Sequence, residues 1–169
     1  MTVIQITTLL KDKLYQQGFE YGFYLNGQKY RPDMSGGFDR RYYHLSRTIY
    51  IVQSPADTER EKIGTCIDTV VLMKSLLNGI AVPCKIWLLH EKARNKMHTI
   101  LTFSAEGKTV YLELTPQSNK PWYGKEILYG SESELIAEYQ GKGCDVIDVT
   151  EEIVIGEPPR FLLSRLQEK

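Results

Sequence analysis

The chain has 169 residues, 42% of them hydrophobic and 25% charged, enough apolar matter to bury one sizeable core. Its 21 basic and 21 acidic residues cancel, so a basic nucleic-acid footprint is not expected. No apolar run approaches a membrane span, and the segment from Met1 to Lys13 lacks the basic start and sustained apolar stretch of a signal peptide.

Taken in chain order, Thr8 to Gln17 reads as a short amphipathic helix stopped at Gly18. Residues 19 to 52 form an aromatic, glycine-containing region with strands, Thr48 to Val52 among them, and a flexible loop from Asp33 to Gly37. A leucine-rich helix then opens at Cys66 and ends at Asn78-Gly79, where the left-handed stop signal lies. Val82 to Leu89 is the strand that follows it, and a hairpin runs from Met97 to Thr115. Ser131 to Gln140 reads as a helix with Ser131 and Glu134 at capping-box spacing. Val146 to Val149 and Ile153 to Ile155 are short strands, and Pro158-Pro159 precedes a last short helix. No proline-, glycine- or serine-rich linker divides the chain, so a single domain over 1–169 is expected. Basic residues gather early (Lys29, Arg31, Arg40, Arg41, Arg47) and acidic ones late (Glu132, Glu134, Glu138, Glu151, Glu152), a pattern that solvated loops and helix faces explain better than an anionic partner.

Cys66 carries the first chemical signal. Thr65 and Asp68 have the spacing of a capping box, which makes Thr65 the N-cap and Cys66 the first helical residue. Unpaired N–H groups and the positive end of the helix dipole favour thiolate there. Ile67, Val70, Val71, Leu72, Met73, Leu76 and Leu77 recur at helical spacing and place the sulfur at the edge of the core. Taken alone, a cysteine at a helix start is more often packing than chemistry.

The hairpin changes that weighting. Thr99, Leu101 and Phe103 share one side with Val110, Leu112 and Leu114, so the other side carries His98, Ile100 and Thr102 with Tyr111, Glu113 and Thr115. A two-residue turn at Glu106-Gly107 makes His98 a diagonal neighbour of Glu113, and a four-residue turn pairs them directly. Either register lets the carboxylate hold the imidazole. A charged residue inside Val-Tyr-Leu-Glu-Leu-Thr also needs a partner, and His98 is the nearest.

Gly64-Thr65-Cys66-Ile67-Asp68, Leu76-Leu77-Asn78-Gly79-Ile80-Ala81-Val82-Pro83, His98 and Leu112-Glu113-Leu114-Thr115, in this order, resemble the core of the transglutaminase-like superfamily, relatives of the papain-like cysteine peptidases. The resemblance covers about residues 60–117. It implies an α+β, papain-like fold in which a cysteine-bearing helix packs on an antiparallel sheet. It further implies Cys66 as nucleophile, His98 as general base and Glu113 in place of the usual aspartate as orienter. Departures are visible: His98-Thr99-Ile100-Leu101 stands where family members often carry His-Ala-Trp-x-Glu, and Leu114 replaces the proline of the closing motif. All three triad types are kept, and the substrate class stays open.

Other residues rank lower. Cys84 alternates with Val82 and Ile86 and reads as core; His90 is expected to be exposed at a strand end; His44 reads as a satisfied, partly buried histidine. Cys66, Cys84, His90 and His98 lack the close pairs that structural zinc sites use, so no metal is implied, nor any organic cofactor. Trp122-Tyr123 reads first as a loop capping the core and second as an aromatic wall of a cleft. Three scattered cysteines suit reduced thiols in a cytoplasm.

The expected activity is acyl transfer at a peptide or protein amide, with hydrolysis by a cysteine peptidase or amidase ahead of amine transfer by a transglutaminase or peptide ligase. From another class, a non-catalytic peptide-binding module on the same fold is the rival. The Cys66 N–H is expected to contribute to an oxyanion hole, and Gln53 is the trial second donor.

Overall fold

A computed structural model describes residues 1–35 and 39–166. Gly36 and Gly37 of the expected flexible loop lie outside the described residues. The chain opens with α1 (Val3–Gln16), whose N-cap Thr2 closes a capping box with Gln5. This helix starts earlier than the apolar spacing predicts, because the cap rather than the periodicity sets its beginning.

Three short strands follow: β1 (Glu20–Tyr21), β2 (Phe23–Leu25) and β3 (Gln28–Tyr30). Gly22 separates the first two at φ 147°, and a Cβ there would stand 2.2 Å from the Tyr30 carbonyl oxygen, so the bend needs glycine. Two helices then appear where strands or no element are expected. In α2 (Arg40–Thr48), capped by Asp39 through the Tyr42 N–H, only Tyr42 is buried, too sparse an apolar pattern to announce a helix. Ser54 caps α3 (Pro55–Glu61), with proline in its first turn. The expected strand from Thr48 to Val52 is not formed. Thr48 ends α2, and Tyr50 and Val52 line the core from an extended segment joined to Gly156 and Glu157 by two backbone hydrogen bonds at Val52. Ile153 to Ile155 likewise forms no strand: Ile153 and Val154 are irregular and Ile155 enters a turn.

After β4 (Ile63–Gly64), which pairs in parallel with β1, comes α4 (Cys66–Gly79). The main sheet is built from β5 (Cys84–Glu91), β6 (Lys96–Ala105), β7 (Lys108–Leu112), β8 (Glu126–Tyr129) and β9 (Cys144–Asp148). It is antiparallel throughout, in the order β8-β7-β6-β5-β9. Between β8 and β9 lies α5 (Glu132–Gly141), and α6 (Arg160–Leu166) follows Pro159.

Each face of this sheet is covered. Val70, Met73 and Leu77 of α4 pack with Ile86, Leu88, Leu101, Phe103 and Val110 on one side; Leu135 of α5 packs with Trp87, Leu89, Ile100 and Tyr111 on the other. The hairpin turn at Glu106 and Gly107 has two residues, both at positive φ, and pairs Thr102 with Tyr111 and Ser104 with Thr109. This is the register that makes His98 and Glu113 diagonal neighbours. The molecule is thus α+β, with the cysteine-bearing helix on an antiparallel sheet. Among the described residues, no helix is long and apolar enough to cross a membrane.

Candidate active site

Local capping chemistry positions Cys66. The Thr65 hydroxyl accepts from the N–H groups of Ile67 and Asp68, and the Asp68 carboxylate accepts from the Thr65 N–H at 2.9 Å. Those bonds satisfy the N–H groups on either side of Cys66, and among the described residues no acceptor takes that of Cys66 itself. Asp68 is fully buried and also receives the Tyr50 hydroxyl at 2.6 Å and the Gln53 N–H at 2.9 Å. Burial outweighs these donors and raises its carboxyl to about 6. Gly64 is packed so closely that a Cβ there would lie 3.1 Å from the Asp68 Cβ and 3.2 Å from the Phe19 ring.

His98 comes from β6, the strand that α4 crosses. Its Nε2 lies 2.9 Å from a Glu113 carboxylate oxygen, and the imidazole side chain is only 15% exposed. With Nε2 given to Glu113, Nδ1 is the ring nitrogen left to face the Cys66 thiol. Glu113 sits just past the end of β7 and is 2% exposed. The Tyr111 hydroxyl also donates to its carboxylate, as does the Thr115 N–H at 3.2 Å. Three donors thus hold a carboxylate that would otherwise be costly to bury.

The electrostatics favour an ion pair. Burial pushes the Cys66 thiol up, but the hydrogen bond and charge of His98, helped by Thr99, more than offset this and hold it below the ordinary range. Burial pulls the His98 imidazole down, and the Glu113 charge with the Cys66 contact reverses that, pushing it up to about 10. Thiolate and imidazolium therefore support one another.

The triad residues expected from the sequence are brought together. Cys84 lies partly buried at the start of β5, and Cys144 is likewise partly buried at the start of β9; all three thiols are free. His90 is not exposed as expected: β5 runs on to Glu91 and is flanked on both sides, leaving the ring 4% exposed with Nε2 3.3 Å from Asn95 Oδ1. His44 is in α2. Gln53 does not fit the oxyanion role, because its amide nitrogen donates to Thr58 Oγ1 and the Ile63 carbonyl while its oxygen accepts from the Tyr24 N–H. Both amide hydrogens are already spent.

Trp122 is the residue that the sequence undervalues. Its ring stacks on the His98 imidazole with centroids 4.2 Å apart and planes 15° apart. The loop bearing it is pinned from α1: Tyr123 stacks on Tyr15 at 5.1 Å, Lys11 Nζ donates to the Gly124 carbonyl at 3.2 Å, and Thr8 donates to Glu126 at 2.8 Å. Tyr15 also donates to the Thr115 carbonyl at 3.4 Å. The only hint in the sequence is an aromatic pair shortly after Glu113.

No protein-family model matches the chain, and no curated protein matches it. Among solved structures, the chain is similar to Legionella pneumophila LapG, with 15% identity and a TM-score of 0.44 over 97% of this chain and 79% of that one.

Proposed function

We propose that this protein is a thiol-dependent acyl-transfer enzyme, a cysteine peptidase or amidase that hydrolyses peptide or side-chain amides. One observation carries the reading: His98 stands between Cys66 and the buried Glu113, hydrogen-bonded to the carboxylate and holding the thiol below its ordinary pKa.

In the proposed reaction the Cys66 thiolate attacks the carbonyl carbon. His98 protonates the leaving amine, then takes a proton from water as the thioester is hydrolysed, and Glu113 keeps the ring oriented and stabilises its charged form. Water is the acceptor by abundance. A cytoplasmic setting belongs to the same proposal and is supported by three free thiols.

Limiting iodoacetamide at neutral pH tests the site directly. Cys66 is expected to react well before Cys84 and Cys144, and Cys66→Ala to abolish hydrolysis of amide substrates in a folded protein. Equal rates at the three thiols, or unchanged turnover in Cys66→Ala, would remove the enzyme reading.

A further inference from the structure

An oxyanion hole built on Cys66 has one donor in place, the N–H at the start of α4, and needs another. Gln53 is excluded by its own hydrogen bonds. Another donor must come from the groups packed around the thiol.

Tyr21 and Tyr42 lie there. Parallel pairing places Tyr21 opposite Gly64, two residues before Cys66, and the Gly22 N–H donates to the Gly64 carbonyl at 3.2 Å. Glycine at position 22 fixes this bend, so Tyr21 is held against the cysteine loop. Tyr42 packs on Tyr21 with ring centroids 6.0 Å apart and is 8% exposed. Burial is the main cause that raises both phenols above their ordinary range, and the charge of Cys66 adds to it in each, so both rings lie within its reach. Yet the Tyr42 oxygen closes no hydrogen bond of ordinary geometry. A buried, unmatched hydroxyl is costly and calls for a reason. The Tyr42 proton is therefore spare.

We propose that the Tyr21–Tyr42 hydroxyl pair supplies the second oxyanion donor, beside the Cys66 N–H. The proposal rests on the thiol-enzyme reading and names the groups that meet the substrate oxygen. When the thiolate forms its bond to the carbonyl carbon, the C=O π pair moves onto oxygen. That oxygen accepts hydrogen bonds from the Cys66 N–H and from the spare phenol proton, which stays on its own oxygen. As the tetrahedral species collapses, the C=O re-forms and the leaving group departs with the proton from His98.

Two reactions of Cys66 separate this role from thiol activation. Alkylation by iodoacetamide passes through no oxyanion, whereas acylation by 4-nitrophenyl acetate does. Tyr21→Phe and Tyr42→Phe keep ring packing and remove one hydroxyl each. A loss of about 10²-fold in the nitrophenol burst for either variant, with Cys66 alkylation within twofold of the unmodified chain, is the expected result. Its KM should hold while the rate constant falls. Both variants acylating within threefold of the unmodified chain would overturn the assignment while leaving the thiol reading intact. If the unmodified chain itself shows neither selective alkylation nor a burst, the thiol reading falls and takes this proposal with it.

Discussion

Trp122 lies flat on the His98 imidazole, ring against ring, at 4.2 Å between centroids. A stacked aromatic face attracts an imidazolium by about 0.5–2 kcal/mol and keeps water from the His98–Glu113 hydrogen bond. Trp122→Ala is expected to lower acylation about tenfold and to move the alkaline limb of the rate profile to lower pH. Trp122→Phe should restore most of both. An alanine variant with full rate and an unmoved limb would make the ring a cover with no electrostatic part.

Glu113→Gln keeps the shape of the side chain and removes the charge that most raises His98. Triad precedent puts the loss in turnover at up to ~10⁴-fold. The glutamine amide also confronts donors, since the Tyr111 hydroxyl and His98 both point at the same carboxylate oxygen. Kinetics and a thermal melt on the same sample separate the effects. A lost rate with an intact melt marks an orienting charge, and joint loss marks a structural one.

The pH dependence follows from the coupled pair. The Cys66 pKa is lowered, so the pair forms once pH rises past a midpoint below the ordinary thiol range; that of His98 is raised to about 10, so it dissolves as pH passes that value. For stability the signs agree. The raised His98 contributes fully below its unfolded value of roughly 6.5 and its share is lost as pH climbs through about 10, while the Cys66 share is lost as pH falls through its lowered value. Alkylation of Cys66 is expected to rise at a midpoint below the ordinary thiol range, and amide turnover, which also needs the imidazolium proton, to fall again near 10. A profile rising at the ordinary thiol pKa of roughly 8.5, unchanged in His98→Ala, would contradict the pair.

Much of this site is readable from the residues because it is built from local rules. Thr65 and Asp68 announce the helix start, and alternation with a two-residue turn puts His98 and Glu113 together. What escapes is non-local. Tyr21 comes beside the cysteine loop only through a two-residue parallel pairing, α2 hides behind a charged sequence with few apolar residues, and Trp122 is held by a helix about a hundred residues earlier. Tyr50 and Val52 show the converse error: a β-branched apolar run can line a core without joining a ladder.

The clasp of α1 on the Trp122 loop has a consequence in time. Its hydrogen bonds span 100, 113 and 118 positions of sequence, whereas His98 and Glu113 are separated by 15. Long closures cost more chain entropy and are made late, so the triad should assemble before its roof is drawn over it. During refolding there is then an interval in which Cys66 is activated but uncovered. Pulsed alkylation should find this thiol more reactive at that stage than in the finished protein, and a reactivity that only climbs to its final value would show that roof and triad close together.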